Sequence, residues 1–158
     1  MATLSSKQFI QSVLIRELRA IVYEHKFHYL AFGLICSGVE FIGKADDQDA
    51  TWNTYKRNGY YFKRGLSLLG PVYHKNKDVL YEGLRCSFAH GLIPGKSIGL
   101  THRAEALKHK TTHMTMYKSG LVVIVEDFFD DFEAACKTLL QRPLMPGDKM
   151  ERNLLAIP

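Results

Sequence analysis

The segment Leu80-Tyr81-Glu82-Gly83-Leu84-Arg85-Cys86-Ser87-Phe88-Ala89-His90-Gly91 holds the residue pair best suited to chemistry. Helical spacing sets Arg85 and His90 about 140° apart and ~7.5 Å along the axis, one to each side of a polar face. Arginine is long enough to reach back toward a ligand that the histidine also touches. An imidazole moves protons near neutral pH. A guanidinium fork grips phosphate oxygens and stabilises charge as it builds. Together, Arg85 and His90 suit metal-free cleavage of RNA, with the imidazole handling the 2′-OH or leaving-group proton. That reaction needs both a base and an acid, and this helix supplies one histidine. A symmetric dimer that faces two such helices supplies the second. Tyr81, Cys86 and Ser87 on the segment and Lys96 just beyond it are candidate substrate contacts, and Glu40 and Glu82 are candidate supporting carboxylates. The plainer alternative is a helix-capping His90 and an Arg85 paired with either Glu82 or Glu40.

Other constellations are weaker. Gly91 to Ser97 imitates a phosphate-binding loop, but only three residues separate its glycines, and it follows a helix instead of joining a strand to one. His109 with His113, and Cys86 with His90, have metal-like spacing but no third ligand. No cofactor and no metal are expected, and His25 and His28 read as surface or packing residues. Lys56, Arg57, Lys63 and Arg64 lie among Tyr55, Tyr60 and Tyr61, a mix that holds phosphates and stacks bases or simply forms a solvated face. Asp127, Asp130, Asp131 and Glu133 suit the start of a helix by dipole complementarity.

The elements that must position these residues are set by periodicity. Residues 5–26 read as an amphipathic helix capped by Ser5 or Ser6, with Ile10, Leu14, Leu18, Ile21 and Val22 on one stripe. A helix near 27–43 is apolar almost all round, which predicts a central buried position, with Gly33, Ser37 and Gly38 small enough for close approach by a neighbour. Helices near 52–69 and 77–90 come next, ending at Gly70-Pro71 and Gly91. The period then shortens toward two. A strand is predicted over 97–102, and a hairpin pairs 111–117 with 121–125 around Lys118-Ser119-Gly120. A last helix near 127–141 stops before Pro143. The expected fold is mainly α, a helical bundle with a small antiparallel β insertion before the last helix. Residues 1–143 read as one domain and 144–158 as an irregular tail.

Composition narrows the classes further. The chain has 158 residues, a formal charge of +5, 46% hydrophobic and 23% charged residues, which excludes disordered and collagen-like chains. The charge permits a polyanionic partner without demanding one. The longest charge-free apolar stretch, Tyr29 to Val39, is about half the ~20 residues of a spanning helix. Lys7, Arg16, Glu17 and Arg19 interrupt any leader-like apolar run. Cys36, Cys86 and Cys136 are far apart and read as free thiols of a reducing cytoplasm.

Arg-x4-His late on a helix after an apolar run resembles the HEPN superfamily, whose ribonucleases carry Arg-x4-6-His. Tyr29 to Gly43 (YLAFGLICSGVEFIG) looks like the second helix of bacterial HEPN proteins, and LYEGLRCSFAHG followed by a hairpin and IVEDFFDDFEAA is similar to the same group. The resemblance spans roughly residues 5–141. It implies an all-α core, a homodimer with the motif at its cleft, and metal-independent RNA cleavage by Arg85 and His90, often in a toxin–antitoxin or defence setting with a protein partner. The position after the arginine is commonly Asn in active members and is Cys86 here. Three classes therefore stand: a HEPN ribonuclease, a silent HEPN-like module that binds a nucleotide, RNA or a protein, and a helical domain unrelated to nucleotides.

Overall fold

The structure, a computed structural model, describes residues 4–145. It begins with α1, residues 6–24. Ser5 Oγ accepts the Gln8 N–H, and the Gln8 side chain accepts the Ser5 N–H, a reciprocal cap that fixes the helix start. Ile10, Leu14, Leu18 and Val22 form the buried stripe. A strict four-residue repeat gains about 40° per step on a 3.6-residue helix. Ile10–Glu17 and Ala20–Glu24 are π-helical, and their wider turns let the four side chains line up.

Helix α2, His28–Ala45, is central, burying Ala31, Phe32, Ile35, Cys36, Val39 and Ile42. It is not buried all round, because Leu30 and Leu34 face outward. Gly38 admits the Phe132 ring and Gly33 the Phe88 ring, as their small size predicts. The closest approach lies elsewhere, where Gly43 meets Gly65 of the next helix.

Helix α3 is Tyr60–Leu69, eight residues shorter at its start than the sequence pattern indicates. Lys44 Nζ captures the carbonyls of Trp52 and Thr54, and Asn58 and Gly59 adopt left-handed backbone, so residues 52–59 turn instead of coiling. Gly70 and Pro71 break α3 from the short α4, Pro71–Lys75. Helix α5 runs over residues 77–91, π-helical at Tyr81–Cys86, and ends at Leu92 in left-handed conformation.

The predicted antiparallel insertion is a mixed three-stranded sheet ordered β1-β3-β2. Strand β1, Ile98–Thr101, pairs parallel with β3, Gly120–Ile124, and β2, Met116–Tyr117, pairs antiparallel with β3 across Lys118-Ser119. Helix α6, Arg103–Lys108, which the periodicity did not signal, provides part of the crossover. Positive φ at Lys110 and Met114 keeps 111–115 out of regular strand. Helix α7, Val125–Leu139, continues from β3 without a loop and packs Phe128, Phe129, Phe132 and Leu139 into the one large core. Leu144 and Met145, the first residues of the predicted tail, are buried, and Met145 donates to the Ala45 carbonyl; residues 146–158 lie outside the described residues. Among the described residues no helix is long and apolar enough to cross a membrane.

A buried polar relay ties α4 to α7. The Tyr73 hydroxyl donates to Asp131 Oδ2 at 2.7 Å and lies 2.7 Å from His113 Nε2, while His113 Nδ1 accepts the Ile124 N–H at 2.9 Å. Every bond is satisfied by a neutral His113 carrying its proton on Nε2, and a second proton on Nδ1 would break the bond to Ile124. Burial holds the His113 imidazole below its ordinary 6.5, against the pull of Asp127 and Asp131. The unfolded chain therefore binds this proton first. Stability is full above about pH 6.5 and is lost as pH falls below it, by up to about 1.4 kcal/mol per pH unit. Urea midpoints measured from pH 7.5 to 5 should fall for the wild type and fall less steeply for His113→Gln.

Candidate functional site

The π-helical turns of α5 carry Arg85 toward α2. Its Nε and Nη2 both donate to Glu40 Oε2, at 3.0 and 2.8 Å. Of the two carboxylates the sequence offered, Glu40 is the partner; Glu82 is exposed, its carboxylate pairs with nothing among the described residues, and its carbonyl accepts from Ser87 Oγ at 3.0 Å. The pair is about a third exposed on each side. Burial works against the Arg85 charge, but Glu40, and then Cys86, outweigh it and hold the guanidinium above its ordinary value.

Arg85 and Glu40 stand in a groove of about 400 Å³ between α2 and α5. Its other walls are mainly apolar: Leu30, Gly33 and Leu34 from α2, Phe88 and Ala89 from α5, and Leu92. Cys36 closes the floor, its thiol pushed up by burial. The Tyr29 hydroxyl donates to the Leu92 carbonyl, and its ring packs 5.3 Å from Phe88, pinning the end of α5 to α2. Leu34 and Ser37 also wall a second apolar groove, of about 360 Å³, between α1 and α2.

His90 is exposed and does not line the Arg85 groove; it makes no hydrogen bond or ion pair among the described residues. The α-helical spacing used to relate the two residues does not hold through a π segment, whose i→i+5 bonds shift the register of the next turn. Within one chain, Arg85 and Glu40 are brought together and His90 is not.

The remaining site residues surround α5. Tyr81 packs against Gly59 and beneath Lys63, whose Nζ is 5.0 Å from the ring centre. Its phenol is raised first by the neighbouring Cys86 side chain and then by burial. Cys86 thus sits between Tyr81 and Arg85, off the groove. Lys96 is exposed on a loop that folds back along α5, where the Gly95 N–H donates to the Gly83 carbonyl at 2.7 Å. That return places the false phosphate-binding loop between a helix end and a strand, with no helix N-terminus to cradle a phosphate.

The basic cluster divides. Arg57, Lys63 and Arg64 line a shallow pocket of about 500 Å³ with Tyr60, joined by Lys77 of α5. Lys63 is paired with Asp78 at 2.6 Å and Arg64 with Asp46 at 3.0 Å, while Arg57 and Lys77 hold no ion pair among the described residues. Tyr61 is buried and bonds Asp47, and Tyr55 is exposed. Lys77 was not signalled because it belongs to a different helix. His109 bonds Glu105 and His113 is locked in the relay, so the sequence pair His109–His113 is not a ligand set. A different trio, His28, His102 and Glu126, does converge.

No family model, curated protein or solved structure matches this chain.

Proposed function

We propose that the chain is a HEPN-type, metal-independent endoribonuclease that acts in the cytoplasm as a homodimer, in a toxin–antitoxin or defence setting. The observation that carries this reading is Arg85 at a groove rimmed by the exposed apolar side chains of Leu30, Leu34 and Leu92. Exposed apolar surface around a charged groove suits an interface with a second copy. A second copy across a two-fold axis brings its own Arg85 and His90 to the same cleft.

In that cleft one imidazole takes the proton of the 2′-OH. The 2′-oxygen attacks phosphorus, the bond from phosphorus to the 5′-oxygen breaks, and the second copy's imidazolium returns a proton to the leaving oxygen. The product is a 2′,3′-cyclic phosphate and a 5′-hydroxyl. The Arg85 fork stabilises the five-coordinate state. The cationic pocket around Arg57 and Lys77 suits the continuing strand.

A second reading, a silent RNA- or protein-binding module, is favoured by the Arg85–Glu40 pair, which occupies the guanidinium, and by His90 lying off the groove. Labelled single-stranded RNA incubated with pure protein in EDTA separates the two. Cleavage that survives chelation, from a protein that light scattering shows to be a dimer, supports the enzyme. Salt-sensitive binding without cleavage supports the module. Glu40→Gln removes the competing charge from Arg85. Because the pair is partly solvated, it is expected to tighten RNA binding by about fivefold at most, with little change in stability; a filter-binding titration checks this, and weaker binding would make Glu40 a positioning residue for Arg85.

A further inference from the structure

Strands β1 and β3 run parallel and end level, Thr101 opposite Ile124. Each passes straight into a helix, β1 through His102 into α6 and β3 into α7. The first residue of α2, His28, reaches the same edge. There His28, His102 and Glu126 each place one donor atom within 4.8 Å of the other two. The two imidazole rings are 5.1 Å apart, and His28 Nε2 is 4.0 Å from Glu126 Oε1.

The carboxylate is already oriented. Glu126 Oε2 accepts the Arg103 N–H at 2.9 Å, leaving Oε1 on the side of His28. Glu126 is only 9% exposed, yet among the described residues no lysine or arginine side chain pairs with it; Arg103 spends its guanidinium on Asp127 and Asp130. Among the described residues its one ion-pair partner is His28. The side chains of His28 and His102 make no hydrogen bond there. A buried carboxylate without a permanent cation, facing two unbonded imidazoles, is an arrangement that a bound cation would stabilise.

We propose that His28, His102 and Glu126 form a binding site for a first-row divalent transition-metal ion, zinc in the first instance, with a further coordination position open to solvent. Two imidazoles and one carboxylate select zinc and its neighbours over magnesium or calcium, which prefer all-oxygen shells. To reach bonds of ~2.0–2.2 Å the donor atoms must draw in by about 1 Å. Both rings are partly exposed, while the Arg103 N–H holds the carboxylate as an outer-shell partner. A bound ion would tie the start of α2 to both strand exits. Tyr29, the next residue after His28, holds Leu92, so the tie would also stiffen one end of the Arg85 groove.

The site shares no residue with Arg85, His90 and Glu40, and its test does not read RNA cleavage. Chelator-stripped full-length protein is titrated with zinc by calorimetry and with cobalt(II) by visible absorption. The expected result is one ion per chain, a cobalt spectrum of low coordination number, and no competition from excess magnesium. His28→Ala and His102→Ala should each weaken binding at least tenfold, as should Glu126→Gln, whose amide oxygen can still accept from Arg103. His109→Ala, an exposed histidine outside the set, should bind like wild type. Zinc should raise the thermal midpoint of the wild type and leave that of His102→Ala unchanged. Absence of saturable binding overturns the proposal, and so does wild-type affinity in His28→Ala and His102→Ala. Should Glu126→Gln lose its circular-dichroism signature, the two histidine variants decide. Chelator-resistant cleavage that depends on Arg85 can fail or succeed independently of every one of these readings.

Discussion

Alanine at Gly65 is expected to leave little folded protein. A Cβ there would stand 1.9 Å from the Val39 carbonyl oxygen, and one at Gly43 would stand 1.9 Å from the Tyr61 carbonyl oxygen. Both obstacles are backbone, so no side chain can rotate out of the way. Helices α2 and α3 would have to separate, and Val39, Ile42, Phe62 and Leu66, all fully buried near this contact, would lose their packing. Overpacking of this kind costs on the order of 3 kcal/mol or more. Domains have only about 5–15 kcal/mol to lose. Soluble yield and the urea midpoint should both drop for Gly43→Ala and Gly65→Ala. Gly33→Ala is the control, because its Cβ would meet only the edge of the Phe88 ring, at 3.2 Å. Wild-type stability in Gly65→Ala would mean that the two helices do not approach this closely.

The second large effect falls on activity. His90→Ala is expected to lower chelator-resistant RNA cleavage by about 10²–10⁴, the usual worth of a positioned acid or base. Arg85→Ala should lower it by about 10²–10³, as when one preorganised donor is removed from a charge-stabilising site. Lysine at position 85 should not restore it, because an ammonium lacks the planar fork. His90 is exposed and unbonded among the described residues, so its removal should leave the urea midpoint in place, and the loss of rate can be assigned to chemistry. Arg85→Ala frees a Glu40 that already has access to water, with a stability change of at most about 1 kcal/mol. Cleavage kept by both variants would exclude Arg85 and His90 as the catalytic pair.

Much of the scaffold was written in local patterns. Ser5 was one of two candidates for the first cap and is the one used, the apolar run after Tyr29 announced the central helix, and Gly70-Pro71 and Gly91 marked helix ends where they occur. Arg85 and Glu40 were named as one of two possible pairs, and the structure selects them. Partnership at a distance could not be read. Alternation identifies β1 and β3 as strands but carries no label for parallel pairing. The late start of α3 depends on Lys44, a residue of the preceding helix, taking two carbonyls. The π turns of α5 escaped a fixed 3.6 period, and with them went the expected relation of Arg85 to His90. His28, His102 and Glu126 come from three separate elements, so spacing along the chain could not group them.

The strand order also has a consequence for the nascent chain. Strand β3 lies between its two neighbours, yet it is the last of the three to be synthesised. The turn from β2 to β3 closes over two residues, so that pair can zip up as soon as it leaves the ribosome. β1 has no such local partner and must wait for the α6 connection to be made and for β3 to arrive. Until then its amides and the Ile98 side chain are open to any passing strand. That interval of exposure to mispairing closes when β3 arrives and takes up the β1 edge.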